Sequence, residues 1–117
     1  MKKHTGGCHC GAVRFEVEMD EPKKGMTCNC SYCSKKGTVL TFVPAEHFVI
    51  TDGEDTLTHY RFNKNVVDHS FCKTCGTQAF GQGKAPNGAE TAAINLRCID
   101  EIDLHALEIS EFNGKDI

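Results

Sequence analysis

Phe71-Cys72-Lys73-Thr74-Cys75-Gly76-Thr77 is the stretch on which the fold turns. Two cysteines separated by two residues and followed by glycine read as a knuckle, a tight turn whose backbone N–H groups face the sulfurs. Cys8-His9-Cys10 and Cys28-Asn29-Cys30-Ser31-Tyr32-Cys33 carry the same logic. Seven of the eight cysteines thus fall into three tight groups, and Cys98 stands alone. Thiolates this close in sequence converge on one point, and a soft divalent ion is its usual occupant. A tetrahedral zinc holds its sulfurs only about 3.8 Å apart, a separation that one or two intervening residues reach through a single turn.

A disulfide framework is the competing use of an even cysteine count in a small chain. Against it, Met1-Lys2-Lys3-His4-Thr5-Gly6-Gly7 is basic but no apolar stretch follows, so no secretory signal is predicted. The expected setting is cytoplasmic, where thiols stay reduced and metal binding is the better use of clustered cysteines. A thioredoxin-type redox pair at Cys30/Cys33 or Cys72/Cys75 would want a strand before it and a helix after it. Gly76 and the apolar run from Thr77 to Phe80 read as a turn and a strand instead.

The length, 117 residues, suits one domain over 1–117, with a modest core that metal binding would supplement. The formal charge of −3, from 13 basic and 16 acidic residues, is too mild and too mixed for a nucleic-acid partner. No apolar run approaches a membrane span, and the pairs Lys23-Lys24 and Lys35-Lys36 are too short for a membrane patch.

The hydrophobic period is two. Val13, Phe15 and Val17 alternate with Arg14, Glu16 and Glu18, the pattern of a half-buried strand. Further strands are expected at Thr38 to Val43, ended by Pro44, around Phe48 and Ile50 before the Asp52-Gly53 turn, and from Thr56 to Phe62. Val67, His69 and Phe71 lead into the knuckle, and Ala92, Ile94, Leu96 and Cys98 form a last inward row. Gly81 to Gly88 reads as a loop, its lone Gly81-Gln82-Gly83 carrying little weight, and Asp103 to Leu107 as one helical turn capped by Asp103. The prediction is a mainly β chain of antiparallel strands with metal knuckles at its turns.

Thiol counting divides the sites. Residues two apart on an extended segment share a face, so Cys8 and Cys10 can chelate together and, with Cys72 and Cys75, make a closed four-sulfur structural site. Cys28, Cys30 and Cys33 make three, the number that leaves a position open for chemistry. The alternative gives Cys98 to this cluster and closes it. A lone cysteine on an inward row is more often a small buried hydrophobe, so the spacing favours four plus three. His9 between two ligands is expected to point away, His69 to be a packed core histidine, and His4, His47, His59 and His105 have no cluster around them. No Ser-His-Asp order, phosphate loop or dinucleotide fingerprint is present.

The segments Gly7 to Phe15, Cys28 to Cys33 and Phe71 to Thr77, with Ile94-Asn95-Leu96-Arg97-Cys98 and Asp103-Leu104, resemble the glutathione-dependent formaldehyde-activating enzyme family, which also includes centromere-protein-V-like proteins. The resemblance covers nearly the whole chain. It implies a β-tent fold of two antiparallel sheets held by zinc, a structural zinc at Cys8, Cys10, Cys72 and Cys75, and a catalytic zinc at Cys28, Cys30 and Cys33. The activity it implies joins glutathione and formaldehyde into S-hydroxymethylglutathione, with carbon–sulfur lyase chemistry in reverse. A zinc with an open position can lower the pKa of an incoming thiol or polarise an aldehyde oxygen. Three thiolates weaken its Lewis acidity, which favours thiol delivery. The formaldehyde-activating enzymes proper are longer and carry extra segments around the cleft, so the zinc chemistry carries over more directly than the substrate. Lys35, Lys36 and Arg97 are candidates for a glutathione cradle, with solvated surface charge as the default. The alternative function is a non-enzymatic, zinc-stabilised binding module of the same fold.

Overall fold

The alternation of Phe15 and Val17 becomes a strand, with Val13 just before it, and all three side chains are buried, each 1% exposed. The computed structural model describes residues 1–61, 68–85 and 87–113. Along the chain run β1 (Lys2–Gly7), β2 (Arg14–Met19), β3 (Lys24–Cys28), a single-turn α1 (Cys33–Lys36), β4 (Leu40–Pro44), β5 (Phe48–Asp52), β6 (Leu57–Tyr60), β7 (Asp68–Cys72), β8 (Phe80–Lys84), β9 (Glu90–Asn95) and β10 (Glu108–Phe112). Among the described residues they form a three-stranded sheet, β1-β2-β5, and a seven-stranded sheet, β10-β3-β4-β9-β8-β7-β6. The mainly β, β-tent expectation holds. One pair departs from antiparallel pairing: β10 runs parallel to β3.

The core lies between the sheets. Phe15 meets Phe80 edge-on at 5.8 Å between ring centroids, and Phe48 meets Phe80 at 4.8 Å. Ala92, Ile94 and Leu96 fill the space beside them with no exposed surface. Removing a buried ring such as Phe80 costs about 3–5 kcal/mol, so this seam holds the two sheets together.

Four local expectations need correction. The Gly81 to Gly88 stretch is a strand in its first half, since β8 continues to Lys84, and only the Ala85–Ala89 end turns. Glycine there serves close approach: a Cβ on Gly81 would stand 3.1 Å from the Asp68 carbonyl across the ladder. The inward row ends early as well. β9 stops at Asn95, whose side chain accepts from the Arg97 N–H and turns Leu96–Cys98 into a 3₁₀ helix. β4 starts at Leu40 rather than Thr38. β6 starts at Leu57 and reaches Tyr60, while Phe62 and Val67 lie outside the described residues. The Asp103-capped turn is present as the 3₁₀ helix Leu104–Ala106, with the Asp103 carboxylate accepting from the His105 N–H. Among the described residues no helix is long and apolar enough to cross a membrane.

Candidate metal centres

The end of β1 and the end of β7 bring the first cluster together from different sheets. The sulfurs of Cys8, Cys10, Cys72 and Cys75 all lie within 4.8 Å of one another. Cys10 Sγ is 3.6 Å from Cys8 Sγ and 3.7 Å from Cys72 Sγ. Those separations match the edge of a tetrahedral four-sulfur site, about 3.8 Å, so the donor set fits a zinc-sized soft ion. Backbone groups aim at the sulfurs. Val13 N–H donates to Cys8 Sγ at 3.3 Å, and Cys8 N–H returns to the Val13 carbonyl at 3.0 Å. The second knuckle closes through Gly76 N–H on the Cys72 carbonyl at 2.7 Å, with Gly76 at φ +80° where glycine is the natural residue. The Thr77 hydroxyl and N–H hold the Cys75 thiol down at about 5, and the N–H groups of Cys75 and Thr74 lower Cys72. Both are thus readied as thiolates, the form that binds metal.

The second cluster hangs on the segment from the end of β3 to the start of α1. The Cys28, Cys30 and Cys33 sulfurs also lie within 4.8 Å of one another, and all three residues are half-buried. Three is the whole donor count here among the described residues; Cys98 belongs to neither group. Its thiol sits instead 3.6 Å from Asn95 Nδ2 and 3.8 Å from the Gln78 carbonyl. Burial pushes it up to about 11, with the Cys8 and Cys75 charges adding to the effect. Cys98 therefore lies towards the first cluster. No histidine joins either group among the described residues, and His9 is exposed.

Burial opposes ionisation of Cys30, but the Cys33 N–H at 3.3 Å and the flanking thiols bring it down. Burial, then the neighbouring Cys30 and Cys28 sulfurs, drives Cys33 the other way. Tyr32, between two of the cysteines, lays its ring 4.4 Å from the His69 ring and 5.3 Å from that of Tyr60. Its hydroxyl donates to Gln78 Oε1 at 2.9 Å. A hollow of about 490 Å³ opens there, lined by Ser31, Tyr32, Lys35, Lys36 and Tyr60. Lys36 Nζ stands 4.8 Å from the Phe71 ring centroid and 3.5 Å from the Gly76 carbonyl of the first knuckle. The hollow thus receives two of the three cradle candidates, Lys35 and Lys36. Arg97 is exposed and does not line it.

Sequence reasoning missed Tyr60 and Gln78 at this site and left His69 as a core residue. His69 is buried, and burial lowers its pKa, but what it packs on is the tyrosine of the second cluster. No signal in the sequence singled out Tyr32, Tyr60 or Gln78, because their meeting depends on residues far apart in the chain. At the far edge of the sheet, Ser70 Oγ and the Asp68 carboxylate both meet Nδ1 of His59, at 3.2 and 2.9 Å. A serine–histidine relay needs both ring nitrogens, so this trio is a hydrogen-bonded brace.

Two sheets carrying a four-thiol and a three-thiol cluster define a small β protein equipped for metal binding. The family model for the glutathione-dependent formaldehyde-activating enzyme matches residues 3–113, and the chain belongs to that family. A crystal structure of a Rhodobacter sphaeroides protein is similar to it at 27% identity and a TM-score of 0.82, over 92% of this chain and 99% of that one.

Proposed function

We propose that Cys28, Cys30 and Cys33 hold a zinc ion with an open position, and that this chain joins a small thiol to an aldehyde beside it or splits that adduct in reverse. The carrying observation is a three-thiol cluster whose intervening residues Ser31 and Tyr32 line a hollow with two lysines on its wall. A zinc ion held there would supply a lowered thiol pKa, so that an incoming thiol ionises near neutral pH. The chain's own residues do the rest. Lys35 and Lys36 offer ammonium groups to the carboxylates of a thiol such as glutathione. Tyr32, its hydroxyl committed to Gln78, and Tyr60 form an aromatic wall that excludes water. In the addition the sulfur bonds to the carbonyl carbon, and the thiol proton ends on the aldehyde oxygen. Nothing is oxidised or reduced, which makes the reverse a carbon–sulfur lyase reaction.

Cys8, Cys10, Cys72 and Cys75 take the structural zinc in this reading, giving two zinc ions in one domain spanning 1–117. A reducing, cytoplasmic setting keeps all seven ligands reduced and free to bind metal. The test is titration of glutathione and of smaller thiols into the zinc-loaded protein and its Cys30→Ser variant, alongside turnover of S-hydroxymethyl adducts. Binding and turnover by the parent alone support the reading. Equal thiol binding by both proteins removes the metal from it, and neither binding nor turnover leaves a zinc-stabilised binding module.

A further inference from the structure

The loop that carries Cys28 and Cys30 is fastened by the strand farthest from it in sequence. β10 lies parallel to β3, with Phe112 in register with Cys28. One step on, between the two cysteines, Asn29 is held twice. Its backbone N–H donates to the Phe112 carbonyl at 3.1 Å, and its Nδ2 donates to Asn113 Oδ1 at 2.9 Å. Earlier along the pair, Glu108 N–H donates to the Lys23 carbonyl at 2.9 Å. All five residues of β10 are exposed, Phe112 at 44% and Ile109 at 48%. Leu107, just before the strand, packs against the core, but the strand residues themselves stay at the surface. What its end does is fix the residue between two metal-binding thiols.

We propose that the end of β10 is a latch on the second metal site: Asn29 and Asn113 are positioning residues that set the approach of Cys28 to Cys30 and so how long the metal stays. This rests on the reading that Cys28, Cys30 and Cys33 hold a metal. The physical ground is the cost of order. Asn29 and Cys30 lie outside any helix or strand, and an unfastened loop must lose its backbone freedom as the metal enters. Fastening Asn29 beforehand removes that cost and holds both sulfurs through hydrogen bonds that touch neither. The first cluster has its own internal bonds for this purpose and, among the described residues, takes none of these from β10.

The test uses the full chain loaded with zinc, mixed with a chromogenic chelator while metal release and melting are followed. The parent releases two equivalents in two phases, and Cys30→Ser, lacking the fast one, assigns it. Asn113→Leu removes the acceptor and accelerates the fast phase by roughly threefold to tenfold, the range of one hydrogen bond. The slow phase and the melting temperature stay put. Asn113→Asp keeps an oxygen acceptor and restores the parent rate. An unchanged fast phase in Asn113→Leu overturns the latch. So does acceleration of both phases with a matching drop in melting temperature, which would make β10 a general support of the fold. A parent that holds a single equivalent overturns the metal reading itself, and the latch with it.

Discussion

The two cysteine clusters use the same donor atom and are framed in opposite ways. The first joins the end of a small-sheet strand to the end of a large-sheet strand, with Cys10 and Cys72 meeting across 62 positions of chain. Its sulfurs sit among N–H groups of their own turns, two of its cysteines are buried, and it clamps the sheets where the aromatic seam also holds them. The second lies within one sheet's periphery. Its cysteines are half-buried, it has one donor fewer, and beyond the Cys33 N–H on Cys30 Sγ its supports are borrowed from Gln78, His69 and β10. A closed, internally braced site suits fold maintenance, and an open one held from outside suits exchange.

The largest effect expected from breaking this contrast is at Cys72. Cys72→Ser should lose one metal and the cooperative melt together, because a structural zinc contributes about 10–16 kcal/mol that a small core cannot replace. Circular dichroism melting with metal content reads it directly, and parent-like values for both would dissolve the structural assignment. Cys30→Ser should also lose one metal, yet keep a cooperative melt within a few degrees of the parent and lose all thiol-adduct turnover. If it unfolds as Cys72→Ser does, the two clusters are equivalent and the contrast is gone.

How much of this contrast could be read from the sequence follows from distance along the chain. The clusters were legible because chelation by Cys8/Cys10, Cys28/Cys30/Cys33 and Cys72/Cys75 is decided within a few residues. The strand of Phe15 and Val17 was legible for the same reason. The surroundings of the second cluster were not: Tyr32 finds Gln78 across 46 positions, a meeting between two connecting segments that only the tertiary fold brings together. β10 gave no signal because Glu108 to Phe112 has no buried face, and its register with β3 is set by a backbone ladder that leaves no hydrophobic pattern in the sequence. Polar β1 was hidden likewise, and the glycines of β8 imitate a loop where the ladder needs close approach.

The hollow gives a finer test of openness. Lys36→Ala should weaken binding of a carboxylate-bearing thiol by roughly tenfold, the worth of one charged hydrogen bond, while leaving a neutral thiol such as mercaptoethanol unchanged. Calorimetric titration of the two thiols separates the outcomes. Equal losses would point to a disturbed cluster, since Lys36 also reaches the first knuckle at the Gly76 carbonyl. Cys98→Ala should keep both metals and cost about 1 kcal/mol of packing, read by denaturant melts. Loss of a metal there would make Cys98 a ligand and redraw the division of thiols.

The smallest effect concerns the frame of the first cluster. Asp100 accepts from the Arg14 guanidinium and from Thr5 Oγ1, and its N–H donates to the Thr5 carbonyl, tying β1 and β2 to the turn after Cys98. Arg14, then Thr5, holds the Asp100 carboxyl below its ordinary value. A carboxyl depressed in the folded chain stabilises it above the unfolded value of about 3.9, and that contribution disappears as pH falls through the folded value. Both side chains are more than a third exposed, at 35% and 44%, so screening keeps the pair to about 1 kcal/mol at most. Asp100→Asn should therefore lower the melting temperature by a few degrees at neutral pH and low salt. The difference from the parent should narrow in high salt and close as pH falls below the depressed value of the folded Asp100 carboxyl. Metal release from the first cluster should quicken slightly, and release from the second should not change. Equal quickening at both clusters would show that the frames are shared, and the separation drawn between the two sites would fail at its most sensitive point.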